Sequence, residues 1–133
     1  AEVVYIDRET DIAVLVPKEK LRYTKALPFR RDISNQMGER VYHCGHPARE
    51  GWHISEGLLT GTHTDVLMVN TFAWPGSSGS VLFDESGRVL GVLSAIRVDG
   101  PFGLPSMVEH IVIASNIKTL EQETLKAALE NVR

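Results

Sequence analysis

Five small residues, Gly76-Ser77-Ser78-Gly79-Ser80, stand between the apolar runs Val66–Val69 and Val81–Phe83. An attacking hydroxyl must protrude from a tight turn with little bulk around it, and a serine set among glycines meets that need. Gly76 can take backbone angles closed to other residues. Such a turn can aim the N–H groups of Gly76 and Ser78 at one point beside the Ser78 hydroxyl. Two donors so aimed form an oxyanion hole, worth several kcal/mol of transition-state stabilisation. Gly79 lets the chain leave the turn without crowding a substrate. Taken alone, the pentapeptide is more often a plain flexible turn. The second chemical candidate is Asp11, which heads the apolar run Ile12–Val16. Its plain reading is a turn residue or cap. Its sharper reading is a partly buried carboxylate that fixes a histidine's tautomer and stabilises the imidazolium.

Other chemistry-bearing residues carry less. His43, Cys44, His46 and His53 invite a metal reading. Neighbouring strand residues face opposite sides, however, and the spacing matches no common zinc signature, so no metal site and no cofactor are expected. The histidines read as solvated or core residues away from a cleft, and Cys44 as an inert strand residue. Trp52 and Trp74 read as packing residues, with Trp74 bordering any cleft beside the serine turn.

These residues need elements to place them. Glu2–Ile6 and Asp11–Val16 read as strands separated by a polar turn. Residues 18–37 read as a long irregular connection whose basic residues, Arg30 and Arg31 among them, are solvated. Strands are expected at Arg40–Cys44, Trp52–Thr60 and Val66–Val69, with a turn at Gly61–Asp65. Val81–Phe83 and Arg88–Ile96 flank Asp84-Glu85-Ser86-Gly87, a strong hairpin signal. Residues 97–109 read as a loop and His110–Ala114 as a short strand. Ser115 is then expected to cap a helix running to about Val132, with Ile117, Leu120, Leu125, Ala128, Leu129 and Val132 on one face. Short strands with frequent turns predict an all-β antiparallel barrel or sandwich followed by a helix.

The whole chain has 133 residues, 43% apolar and 23% charged, enough for one packed core. A net charge of −3 disfavours a nucleic-acid partner bound through global charge. No apolar run approaches the roughly 18 residues of a membrane span, so no membrane partner is expected. The single Cys44 forms no internal disulfide, which suits a reducing compartment or indifference to redox. No signal peptide is visible, and Ala at position 1 reads as Met excision, processing, or a start partway through a longer product.

Three ordered blocks resemble the trypsin-like serine proteases of the chymotrypsin fold, in the flavour of the bacterial Deg-type heat-shock proteases and of viral or phage relatives. Thr10-Asp11-Ile12-Ala13-Val14-Leu15 is similar to the block around that family's catalytic aspartate. Gly38-Glu39-Arg40-Val41-Tyr42, Gly45, Pro47 and Ser55-Glu56-Gly57-Leu58-Leu59 are similar to the start of its second barrel. Gly76–Ser80 through Gly87-Arg88-Val89-Leu90-Gly91-Val92 is similar to its nucleophile block and hairpin, and Ile113–Ile117 to its last strand entering the C-terminal helix. The resemblance implies a chymotrypsin-like fold with residues 1–16 a remnant of the first barrel, 17–37 the connection, 38–114 the second barrel and 115–133 the helix. It implies Ser78 as nucleophile, Asp11 as orienting acid, and Gly76 and Ser78 as the oxyanion hole. Ser94, Ala95 and Ile96 would pair with an extended polypeptide substrate. Phe72 would floor the specificity pocket and Ile96 would wall it, giving a shallow pocket for small or medium apolar side chains.

The family's order is His, Asp, Ser, and no histidine precedes Asp11. A hydroxyl without its general base is a poor nucleophile, so these residues alone are expected to be inactive. Ser80 and Val81 also stand where a glycine and a small residue or proline are common. The expected partners are a polypeptide substrate and a separate N-terminal fragment or fused domains. The alternatives are a degenerate protease fold serving as a structural or binding module, for example in a virion, and an unrelated small binding barrel.

Overall fold

The computed structural model describes residues 1–32, 37–46, 51–63, 65–73, 76–98 and 107–132, with the side chains at 95–98 and 107–111 outside that description. β1 (Glu2–Asp7) and β2 (Ile12–Val16) form a two-stranded antiparallel sheet in which Asp7 pairs with Ile12. The Asp7 carboxylate closes this hairpin by accepting from the N–H of Glu9 at 2.9 Å and of Thr10 at 3.2 Å. A bend in the register between Val3 and Tyr5 breaks the strict alternation of β1.

The remaining strands are β3 (Arg40–Gly45), β4 (His53–His63), β5 (Val66–Asn70), β6 (Val81–Asp84), β7 (Val89–Val98) and β8 (Met107–Asn116). They close into an antiparallel barrel in the order β3-β4-β5-β8-β7-β6. Closure removes open sheet edges. Period-2 patterning decides which side chains fill it. In β3, for example, Val41, His43 and Gly45 turn inward while Tyr42 and Cys44 are partly exposed. Val41, Leu59, Leu67, Val69, Leu82 and Leu90 are fully buried at the centre. Each such aliphatic side chain stabilises the fold by about 1.5–3 kcal/mol relative to exposure.

A second cluster forms outside the barrel. Val89, Ile117 and Leu120 are buried there against Tyr5, Val14 and Leu125. It ties the β1–β2 hairpin and the C-terminal helix α1 (Gln122–Glu130) to the base of β7.

Three sequence expectations are corrected. β8 runs through Ser115 and Asn116 because these residues still pair with Val66 of β5 and with Gly91 and Val92 of β7. Ser115 therefore caps no helix. Asn116 instead caps a 3-10 turn at Ile117–Thr119, its side chain accepting from Lys118 N–H, and α1 starts only at Gln122 with Leu129 45% exposed. The turn expected at Gly61–Asp65 is also displaced. A bulge between Leu59 and Gly61 lets β4 continue to His63, which pairs with Val66. The loop expected at 97–109 gives way at its ends to strand, with Val98 pairing Met107; residues 99–106 lie outside the described residues.

The connection is not wholly solvated either. Lys18, Lys20, Arg22 and Lys25 are exposed, but the Arg30 guanidinium lies 2.6 Å from Glu39 and 3.1 Å from Asp84. Arg31 donates to the Leu120 carbonyl and lies over the Phe29 ring. The backbone of Pro28–Arg30 adds hydrogen bonds to Val89, Arg30 N–H donating to its carbonyl and its N–H donating to Pro28 O, each at 2.8 Å.

Candidate active site

The serine turn joins β5 to β6. Gly76 and Gly79 adopt φ of 101° and 86°, values that L side chains rarely take, so glycine is needed at both positions. Ser80 N–H donates to Ser77 O at 3.1 Å, which tightens the turn around Ser78. Gly79 N–H donates to Leu93 O at 2.7 Å and Leu93 N–H to Ser80 O at 2.9 Å, fastening the turn to β7. Ser77 and Ser80 are buried, whereas Ser78 faces solvent. Among the described residues, no acceptor within the chain takes the N–H of Gly76 or of Ser78.

Asp11 and Ser78 arrive at the same strand. Ser78 Oγ donates to the Ser94 carbonyl at 3.1 Å, and Ser94 Oγ donates to Asp11 Oδ2 at 2.5 Å. One residue of β7 thus bridges the two candidates, which lie 67 positions apart in the chain (78 − 11). The expectation that Asp11 begins a strand and is partly buried is corrected. Asp11 is exposed, precedes β2 and sits at φ 55°, a left-handed conformation that aspartate adopts more readily than most residues.

Phe72 leads into the serine turn and is 57% exposed. With Ser77, it lines a crevice shared with His43, Gly45, His53 and Ser55. Of His43, His46, His53 and His63, expected to be solvated or core residues away from the cleft, His43 is a core residue but lines this crevice. This residue is buried, and its Nε2 lies 3.0 Å from the Phe72 carbonyl and 3.2 Å from Thr71 Oγ1. Alternation along β3 carried the signal, since His43 shares the inward face of Val41. His46 meets Trp52 edge to face, and both stand at the outer end of the β3–β4 pair. The side chains of Ala95, Ile96 and His110, and all of Trp74 and Pro47, lie outside the described residues. Among the described residues, no group of three or more His, Cys, Asp or Glu could hold a metal ion.

On this geometry the comparisons with known proteins converge. A family model described as "Trypsin-like peptidase domain" matches residues 1–92. A probable periplasmic serine endoprotease, DegP-like, of Rhizobium meliloti is 30% identical over 132 residues, covering 89% of this chain and 26% of that protein. The chloroplastic Protease Do-like 1 of Arabidopsis thaliana is 30% identical over 111 residues, covering 72% of this chain and 25% of that protein. Among solved structures, the HtrA-type protease AlgW with a decapeptide superposes at a TM-score of 0.74 with 26% identity, covering 98% of this chain and 40% of that one. The chain therefore spans about a quarter of the length of these curated relatives. Its closed barrel with a following helix is the chymotrypsin-like architecture expected from the motifs. Because the family match runs through both the Asp11 hairpin and the serine turn, the chain belongs to the trypsin-like peptidase domains, in their Deg-type branch.

Proposed function

We propose that the product containing this chain is a serine endopeptidase that cleaves peptide bonds through an acyl-enzyme on Ser78. The observation that carries the reading is the Ser78–Ser94–Asp11 bridge, which sets an exposed hydroxyl and a carboxylate against one residue of β7. In the reaction, the Ser78 oxygen bonds to the substrate carbonyl carbon as its proton passes to a general base. The carbon–nitrogen bond then breaks, the amine leaves with that proton, and water releases the acyl group. The N–H groups of Gly76 and Ser78 receive the oxyanion. Asp11 orients the base. β6 pairs with β7 no further than Val92, so the backbone of Ser94, Ala95 and Ile96 has a side available to an extended peptide. Phe72 borders the pocket for the side chain preceding the cleaved bond.

No histidine precedes Asp11 in these 133 residues, and Ser78 gives its proton to a carbonyl, which cannot carry it away. On their own they should therefore be inactive, with the base supplied by other residues of the full-length product. Fluorophosphonate labelling of that product tests the proposal. Labelling that Ser78→Ala abolishes is expected; full-length protein that stays unlabelled would refute it and favour a binding or structural module.

A further inference from the structure

His43 is a buried histidine that takes no part in the acyl-transfer steps above. It sits on the inner face of β3 with 4% of its surface exposed. A carbonyl oxygen only accepts, so the 3.0 Å contact with Phe72 O places the ring proton on Nε2. Thr71 Oγ1, 3.2 Å from the same nitrogen, itself donates to Glu56 O at 3.2 Å. These bonds lock β3, β4 and the Thr71–Phe72 segment together, immediately before the serine turn. Close approach is part of the lock: a Cβ on Gly57 would lie 2.6 Å from Thr71 Cβ. The other ring nitrogen, Nδ1, is buried with no hydrogen-bond partner among the described residues. The crevice beside it reaches Ser77, the residue before the nucleophile.

We propose that His43 is a positioning residue of the peptide-cleaving site, holding the Phe72 carbonyl and so the chain entering residues 76–80, and that the uncharged ring is the form its buried place accepts. The proposal rests on the reading of Ser78 as nucleophile. Protonation would put a second N–H where no acceptor waits. Among the residues lining the crevice, the one other titratable side chain is His53 of β4; Gly45, Ser55, Phe72 and Ser77 are uncharged. Across the sheet His43 faces Leu82 of β6 and Ser55 of β4, again without charge. No carboxylate among these neighbours can neutralise a cation. In line with this, burial pushes the His43 pKa below the ordinary histidine value, against the opposing pull of the Phe72 carbonyl. Acid would leave Nε2–H donating to Phe72 O but add a buried Nδ1–H with no acceptor, and that unmatched donor would disfavour the ring's place beside the approach to the turn.

The test is the rate of fluorophosphonate labelling of the full-length product from about pH 8 down to about pH 5, spanning the ordinary histidine range. His43→Ala should label about threefold to tenfold more slowly at the upper end, the scale of one lost hydrogen bond. His43→Gln keeps a neutral N–H donor at every pH and should label within about twofold of wild type there. The ratio of wild-type to Gln-variant rates should fall as pH drops, while the shared general base cancels from it. A ratio constant across the range, or an Ala variant as fast as wild type, would overturn the proposal; if His43→Ala does not fold, the Gln ratio alone decides. Wild type that fails to label overturns the Ser78 reading and this one together, whereas normal labelling with a flat ratio overturns this one alone.

Discussion

Ser94 is the residue on which the site turns. Its carbonyl holds the Ser78 hydroxyl and its own hydroxyl holds Asp11, so it sets the separation between the proposed nucleophile and the proposed acid. In the full-length product, Asp11→Asn should lower kcat/KM by about 10^3–10^4-fold, since the base loses its orienting charge. Ser94→Ala should lower it about threefold to tenfold, because Asp11 keeps its charge but loses one hydrogen bond. Peptide-hydrolysis kinetics on the two variants give both numbers, and an Asp11→Asn variant as active as wild type would remove Asp11 from the mechanism. Much of this was legible in residue types. A serine among glycines needs an exposed tight turn, and an aspartate before an apolar strand needs a partner. The bridge through Ser94 was not legible, because it depends on the register that lays β7 beside the serine turn. The left-handed backbone of Asp11 escaped for a similar reason, as a hairpin demands it and composition does not.

At the scale of elements, the β6–β7 hairpin shows how a turn signal becomes an anchor. Asp84 Oδ1 accepts from the N–H of Ser86 and of Arg88 at 2.9 Å each, and Oδ2 takes Arg88 at 2.8 Å and Arg30 at 3.1 Å. Its side chain is 2% exposed. Asp84→Ala would leave those donors unmatched and loosen the connection at Arg30, and it should destabilise the domain by about 3 kcal/mol, read from the denaturant midpoint. Burial alone would raise the Asp84 pKa, but the Arg88 N–H, the Arg30 guanidinium and the Ser86 N–H outweigh it and hold it below the usual aspartate value. A lowered carboxylate pKa contributes stability above the ordinary aspartate range, and that contribution is lost as pH falls through the lowered value. Acid titration of stability should therefore be shallower in Asp84→Ala than in wild type. The turn itself was plain in Asp84-Glu85-Ser86-Gly87. The start of the helix was not, because Ser115 looks like a cap and only the pairing of β8 with β5 and β7 keeps it extended.

At the scale of the whole molecule, two clusters divide the work. The barrel core around Leu59, Leu67 and Leu90 packs under β7, to which the serine turn is fastened at Leu93. Leu90→Ala, at a fully buried site, should cost about 2–5 kcal/mol by denaturant unfolding. The second cluster, at Val89, Ile117 and Leu120 with Tyr5 and Val14, carries the Asp11 hairpin to the barrel. Val3, Ile6 and Leu15 of that hairpin remain about half exposed, at 52%, 59% and 54%. The overall class followed from short strands and ordered motifs, whereas the placement of the hairpin comes from long-range packing. Everything at the proposed site depends on Ser78 acting as the nucleophile of a peptidase. The most direct measurement of that role is peptide mapping by mass spectrometry after the full-length product reacts with a fluorophosphonate. The phosphonyl mass is expected on the peptide carrying Ser78 and on no other serine. An adduct at another residue, or none at all on folded protein, would contradict that role.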